Sequence, residues 1–395
     1  MQIMEELKKD FKEMLQDLLG EEAYLLINAL DQPPVTSVRI NKRKPGAEFN
    51  DTETVAWCKS GFYLKDRPEF IFDPLLHAGA YYVQDASSMI YETVVSRLLP
   101  HFSNTSSGYP NTSSSFPHES NLKLLDLCAA PGGKTTAMIN SIPDGCEITA
   151  NEYSSKRVGA LKENLDKWGY PNVHVTNKDS SFYAAQGETY DIVAVDAPCS
   201  GEGMMRKEEM ARKQWNMDLV KQCAALQREI LKNAAETLKP GGFLIYSTCT
   251  FNRKENEENA EFVVNELGFK PVNMDFPKEW KISGGINTIL PVYRFMPHLT
   301  KGEGLFLAVF QKPGDWTPSK NSSFLKRETI IKHPQVDVDK DTALAYLRRE
   351  SIVLPSDAPL GLVTITYKGL PLGDAKNIGS RANNLYPKNR RILKR

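Results

Sequence analysis

Three absences bound what this chain can be. None of its six cysteines forms a C-x-x-C pair, which removes the ligand spacing of a zinc ribbon and the framework of a disulfide-stapled domain; reduced thiols and no metal site are expected. Net charge is missing too: 49 Lys and Arg balance 49 Asp and Glu, so no bulk field announces nucleic acid, and any basic surface has to be local. No run of about 18 apolar residues is present to span a membrane. The N-terminus, Met1-Gln2-Ile3-Met4-Glu5-Glu6, is acidic and lacks an apolar signal region. A cytoplasmic protein with no membrane partner, acting as a monomer, is the expectation.

What is present is enough material for several domains, 395 residues of which 41% are hydrophobic. Residues 1–30 read as two amphipathic helices, with Leu7, Phe11, Met14, Leu15 and Leu18 near helical spacing, and Pro33-Pro34 closes them. Val35 to Asn41 alternates as a strand does and runs into the basic cluster Lys42-Arg43-Lys44. Residues 1–100 are thus expected to form a small α+β domain. From 101 to 121 the chain turns rich in Ser, Asn, Thr and Pro with no apolar face, the pattern of a mobile surface insertion.

At Leu122 the pattern changes to strands alternating with helices, the mark of an α/β fold with a doubly wound, mostly parallel sheet. Candidate strands are Lys123 to Leu127, Glu147 to Asn151, Val173 to Asn177, Ile192 to Val195, Phe243 to Ser247 and Leu305 to Phe310. Helices are expected over Ser154 to Trp168 and Leu219 to Leu238, and Lys239-Pro240-Gly241-Gly242 reads as a turn before the fifth strand. This domain spans 122–313, a linker 314–324, and a β-rich module 325–395. The last segment, from Lys376, carries Arg381, Lys388, Arg390, Arg391, Lys394 and Arg395 and no acid, a strip suited to phosphates.

The first strand of the α/β domain runs into Cys128-Ala129-Ala130-Pro131-Gly132-Gly133-Lys134, whose small residues let backbone approach a ligand at the usual crevice of such sheets. Glu152, just past the second strand, is placed to take two ribose hydroxyls, and Asp179, at the end of the third, to face an adenine amino group. Gly133-Lys134-Thr135 imitates a P-loop, but Cys128 stands where that motif needs its first glycine. A nucleoside cofactor fits the acids better than a triphosphate.

Two further strand ends carry Asp196-Ala197-Pro198-Cys199 and Thr248-Cys249-Thr250. In a doubly wound sheet the fourth and fifth strands are neighbours, so both thiols reach the cofactor crevice. A thiolate adding to carbon 6 of a pyrimidine converts the ring to an enamine whose carbon 5 attacks an electrophilic methyl group. A carboxylic acid at Asp196 would hydrogen-bond the ring nitrogen and amine of cytosine, and a second thiol would assist release. The residues alone do not say which cysteine attacks.

These segments resemble the Nol/Nop/Sun family of RNA cytosine-5 methyltransferases, through Asp126 to Thr135, Asp196 to Gly203, and Tyr246-Ser247-Thr248-Cys249-Thr250-Phe251. Gln84-Asp85-Ala86-Ser87-Ser88, Arg294-Phe295-Met296-Pro297-His298 and Gly302-Glu303-Gly304-Leu305-Phe306-Leu307-Ala308 extend the likeness. Gly201 to Lys207, Gly369 to Gly373 and Asn384 to Lys388 look like the RsmF branch, which methylates small-subunit (16S) ribosomal RNA. The resemblance implies a Rossmann-like S-adenosylmethionine-dependent catalytic domain and a C-terminal PUA-like RNA-binding module. It assigns Cys249 as nucleophile, Cys199 to adduct release, and Cys128 to Lys134, Glu152, Asp179 and Asp196 to the cofactor pocket. It also implies an RNA partner, the small-subunit RNA or an assembling 30S subunit, gripped by the basic segments at 39–44 and 376–395. A transfer RNA methyltransferase and a non-catalytic assembly factor stay open as alternatives.

Overall fold

The structure is a computed structural model and describes residues 6–49, 52–102, 121–318 and 333–394. It contains three sheets. The first joins β1 (Thr36–Ile40), β2 (Glu53–Val55), β3 (Cys58–Leu64) and β4 (Tyr81–Val83) in the order β2-β3-β1-β4, all antiparallel. Ahead of it stand helices Lys9–Leu19 and Ala23–Leu30. Phe11 and Leu15 are fully buried on the first, as its spacing predicts, but what they pack against is distant in sequence: Trp215, Met205 and Phe251 of the α/β domain.

The central sheet holds β5 (Lys123–Asp126), β6 (Glu147–Asn151), β7 (Val173–Thr176), β8 (Tyr190–Asp196), β9 (Leu238–Thr248), β10 (Lys270–Pro271), β11 (Val292–Phe295) and β12 (Leu305–Gln311). Its order is β10-β12-β9-β8-β5-β6-β7, with β11 also paired to β12. Strands β9, β8, β5, β6 and β7 run parallel, so their C-terminal ends share one edge, and β12 is antiparallel to β9. Helices cover both faces, which is why Ile192 to Val195 reads as an unbroken apolar run; all four are at most 1% exposed. Full burial of each such side chain stabilises by about 1.5–3 kcal/mol. Helix Ser155–Trp168 stops at Gly169, whose φ of 79° few other residues adopt, and helix Met217–Thr237 begins at Asn216, which caps the Leu219 N–H at 2.8 Å.

Two expectations change. Lys239 to Gly242 is no separate turn: β9 begins at Leu238 and carries the Pro-Gly-Gly segment as an irregularity, with Gly241 at φ 72° and its N–H bonded to Lys312 O. Residues 101 and 102, read as the start of the insertion, close the 3-10 helix Leu99–Phe102, and Phe102 is buried against Phe243 and Trp316. The rest of that insertion, 103–120, lies outside the described residues, as does 319–332 around the expected linker.

The third sheet joins β13 (Gln335–Asp337), β14 (Gly361–Tyr367), β15 (Leu370–Asn377) and β16 (Ala382–Asn384), with helix Lys340–Leu347 packed on β14. Its basic strip divides. Arg390 pairs with Asp166 of the α/β domain at 2.7 Å and Lys394 with Glu69 at 3.4 Å, while Lys376, Arg381, Lys388 and Arg391 are exposed.

The cluster at 39–44 is engaged within the protein instead. Lys42 pairs with Glu92, Arg43 with Asp144, and Lys44 donates to the carbonyls of Ala78 and Lys167. Arg39 is fully buried and donates to Gln84 Oε1, Gly133 O and both oxygens of Thr136. Arg39 therefore fastens the N-terminal sheet to the Gly133 loop, while Arg43 and Lys44 reach other segments of the α/β domain, a packing role that local sequence could not distinguish from a phosphate grip.

Candidate active site

The cofactor loop and both cysteine motifs converge on the C-terminal edge of the central sheet. Strands β8 and β9 are parallel neighbours with Asp196 opposite Ser247, so the loops that follow them leave side by side. Cys199 Sγ and Cys249 Sγ stand 3.1 Å apart as free thiols, close enough for one S–H to donate to the other sulfur. That bond to Cys249, together with burial and the charges of Cys249 and Glu255, pushes the Cys199 thiol well above its ordinary range. Either sulfur can donate in that contact.

A charged pair stands next to them. Lys134 Nζ donates to Asp196 Oδ2 at 2.7 Å, and Ser247 Oγ donates to Asp196 Oδ1 at 2.7 Å. Tyr91 donates its hydroxyl in turn to Ser247 Oγ at 2.8 Å, since burial holds it firmly as the phenol. Burial alone would draw the Lys134 ammonium down, but the charge and hydrogen bond of Asp196, with Cys249 and Asp85 adding, outweigh it and raise it. Lys134 is a fixed cation at the thiol pair.

The cofactor loop leads in from β5. Ala129 and Ala130 are buried, Ala129 N–H bonds to Asn151 O at 2.8 Å, and Gly132, at φ 108°, leaves room only by lacking a side chain: a Cβ there would lie 3.3 Å from Leu161 Cδ1. Asn164 holds Pro131 O at 2.8 Å, and Cys128 carries a thiol that burial pushes well above its usual range, an inert packing cysteine.

Both oxygens of Glu303, beside Lys207 and Arg206, make no hydrogen bond among the described residues, and neither do two further buried carboxylate atoms at this edge, Asp126 Oδ1 and Glu152 Oε2; the latter lies 3.3 Å from Arg157 Nη1. The other oxygen of Asp126 and of Glu152 is satisfied, by Thr135 Oγ1 at 2.6 Å and by Ser154 N–H at 2.8 Å. Buried acceptors without donors at the ends of β5 and β6 are what a ligand bearing hydroxyl and ammonium donors would complete, so these residues fit an adenosyl amino-acid cofactor. Burial, with the charge of Asp196, pushes Asp126 up to about 7 against its bond from Thr135.

Asp179 is the outlier. Strand β7 stops at Thr176, and Asp179 is exposed at the cap of helix Ser180–Ala184, accepting from Ser181 N–H at 2.9 Å and Ser181 Oγ at 2.7 Å. Those bonds hold its carboxyl below the ordinary value. It lies beyond the C-terminal end of β7 with one oxygen already engaged.

A second group of residues has no role assigned from sequence: Glu202, Gln84-Asp85, Arg294 and Glu303 enter only as parts of resembling motifs, and Glu255 and Glu257 not at all. Glu202 and Glu255 are completely buried beneath the two cysteine loops, and Arg294, paired with Glu257, donates to Phe251 O at 2.7 Å. Gln84-Asp85 and Gly302-Glu303 also meet, through Glu303 N–H to Asp85 Oδ1 at 2.9 Å. Only the folded chain brings these polar residues together.

A doubly wound α/β domain with a nucleoside-type crevice and a thiol pair at its edge defines the methyltransferase class. The model of the 16S rRNA methyltransferase RsmB/F family matches residues 116–311, that of the N-terminal domain of 16S rRNA methyltransferase RsmF residues 7–86, and that of the methyltransferase RsmF PUA domain residues 333–392. Ribosomal RNA small subunit methyltransferase F of Pectobacterium atrosepticum is 31% identical over 331 residues, 79% of this chain and 64% of that protein. Its counterpart in Salmonella heidelberg is 30% identical over 391 residues, 90% of this chain and 77% of that one. A solved methyltransferase homologue from Pyrococcus horikoshii shares the fold, with a TM-score of 0.62 at 24% identity over 77% of this chain and 95% of its own. The chain belongs to the family of 16S rRNA methyltransferases RsmB/F, in its RsmF branch. It spans 64% of the length of the Pectobacterium relative.

Proposed function

We propose that this protein methylates carbon 5 of a cytidine in RNA, with small-subunit ribosomal RNA as substrate and S-adenosylmethionine as methyl donor. The observation that carries the reading is the 3.1 Å approach of Cys199 and Cys249 beside the Lys134–Asp196 pair. S-adenosylmethionine supplies the electrophilic methyl group when bound, and Cys128 to Lys134, Glu152, Asp179 and Asp196 form its pocket. Glu152 and Asp126 offer the open acceptors.

Cys249 is the nucleophile. Its thiolate, with Cys199 S–H donating to it and the Lys134 ammonium close by, adds to carbon 6 of the cytosine. Negative charge then builds on the ring, and carbon 5 would take the methyl group as its bond to the donor's sulfonium sulfur breaks and leaves the electron pair on that sulfur. A base removes the carbon 5 proton, the C–H electron pair restores the ring double bond, and the carbon–sulfur bond breaks with its electrons on Cys249. Cys199 eases that departure by donating its hydrogen bond to the leaving sulfur. Asp196, fixed by Lys134 and Ser247, accepts from the exocyclic amine. The target base has to leave its stack to reach this edge, and the exposed cations Lys376, Arg381, Lys388 and Arg391 hold surrounding phosphates.

The test is direct. Purified protein is incubated with tritiated S-adenosylmethionine and either small ribosomal subunits, protein-free small-subunit RNA or transfer RNA, and the RNA is digested to nucleosides for mass spectrometry. The reading expects 5-methylcytidine in small-subunit RNA, abolished by Cys249→Ala. Product in transfer RNA alone would replace the substrate, and failure to bind S-adenosylmethionine in calorimetry would favour a non-catalytic assembly factor.

A further inference from the structure

We propose that Glu202 and Glu255 are positioning residues for the thiol pair, crossed buried carboxylates through which each cysteine loop is held by the other. The proposal rests on the roles given above to Cys199 and Cys249.

Glu202 belongs to the Cys199 loop, yet it accepts from the other loop: the N–H groups of Phe251 and of Asn252 at 3.0 Å, and Asn252 Nδ2 at 2.8 Å, with Trp215 Nε1 at 3.0 Å beside them. Glu255 belongs to the Cys249 loop and reaches back. It accepts from Ser200 N–H at 3.0 Å and from Ser200 Oγ, from Gln227 Nε2 at 2.7 Å and from Asn252 Nδ2 at 2.8 Å. Ser200 directly follows Cys199, and Gln227 also holds Pro198 O at 2.9 Å, so Glu255 fixes the backbone on both sides of that thiol. A third tie runs along the main chain, Gly203 N–H to Cys249 O at 2.8 Å. Gly203 has to be glycine, because a Cβ would lie 2.7 Å from Glu303 O and 3.1 Å from Cys249 O.

Both carboxylates are fully buried. Their backbone, amide and indole neighbours can only donate to them, and ionised carboxylates are the acceptor-only groups that suit such a set. Two buried charges would ordinarily be costly; here at least four donors surround each. The charge of Glu255 also acts on Cys199, adding to the forces that keep its proton in place. The crossed contacts therefore set the distance between the sulfurs.

Glu255→Gln puts an NH2 where two donors now point, and tests the idea without removing side-chain volume. The first readout needs neither RNA nor cofactor: diamide takes two electrons and two protons from a pair of thiols, leaving a disulfide and the hydrazine. Peptide mass mapping should find the Cys199–Cys249 disulfide formed about tenfold or more slowly in Glu255→Gln than in wild type. In methyl transfer, kcat should fall about 10- to 100-fold, and RNA KM and S-adenosylmethionine affinity should stay within about threefold. An RNA–protein adduct should accumulate as it does in Cys199→Ala, and in that background Glu255→Gln should cost nothing more. Should Glu255→Gln melt below assay temperature, Ser200→Ala, which removes a hydroxyl bonded to Glu255 and 3.4 Å from Glu202, carries the same expectations in milder form.

Wild-type disulfide formation, or a loss of kcat that adds fully to that of Cys199→Ala, would overturn the proposal. A wild-type protein that makes no 5-methylcytidine but forms the disulfide faster than Glu255→Gln would refute the function and leave the positioning role standing.

Discussion

Replacing Lys134 with Met removes the fixed cation of the site while keeping much of its length. Asp196 then keeps only Ser247 Oγ, at 2.7 Å, and loses an ammonium that donated at the same distance. A hydrogen bond between two charged groups contributes about 1.5–3 kcal/mol net. The lysine and aspartate side chains are 15% and 28% exposed, so water screens part of that, and a value near the low end, about 2 kcal/mol, is appropriate. Expressed in transition-state stabilisation this is a loss of about 30-fold in kcat/KM. Tritiated methyl transfer at subsaturating RNA measures it, with circular dichroism and S-adenosylmethionine calorimetry run alongside to separate a lost cation from a lost fold or pocket. A folded, cofactor-binding Lys134→Met protein within threefold of wild type would show that the Lys134–Asp196 pair does not act in the reaction.

The pocket and its pH dependence supply two more tests. Glu152→Gln should weaken S-adenosylmethionine binding about tenfold in calorimetry and raise its KM while leaving kcat nearly unchanged; an unaltered dissociation constant would remove Glu152 from the pocket. Asp126 is raised from its ordinary 3.8 to about 7 in the folded protein, so between those values the native state holds a proton that the unfolded chain has released. Stability therefore falls as pH rises across that window and levels off above it. Asp126→Asn removes this slope, gaining on wild type by up to about 4 kcal/mol between pH 4 and pH 8. Parallel denaturation curves across that range would contradict the burial of an uncompensated carboxyl.

The doubly wound sheet and the adjacency of β8 and β9 were legible because a sheet covered on both faces leaves continuous apolar runs such as Ile192 to Val195, and because strand ends in such a sheet collect at one edge. That reasoning brought Cys199, Cys249, Asp196 and Lys134 together before any contact was known. It failed where the partner is remote in sequence. Arg39, Arg43 and Lys44 look like part of a phosphate grip in isolation, yet they fasten one domain to another, and Lys42 pairs with Glu92 of its own domain. Pro240-Gly241-Gly242 has turn composition, but pairing with β8 and β12 carries the strand through it. Asp179 sits near a strand end and caps a helix. Glu202 and Glu255 carry no periodic signal at all, since buried loop carboxylates are recognisable only from the donors that the fold assembles around them.

The central claim is the division of labour between two sulfurs 3.1 Å apart, and one gel tests it. Wild type, Cys199→Ala and Cys249→Ala proteins are each incubated with radiolabelled small-subunit RNA and S-adenosylmethionine and run under denaturing conditions. Cys199→Ala should leave a slow-migrating RNA–protein adduct, because Cys249 attacks and cannot readily depart, and Cys249→Ala should leave none. An adduct in Cys249→Ala, with none in Cys199→Ala, would reverse the two roles.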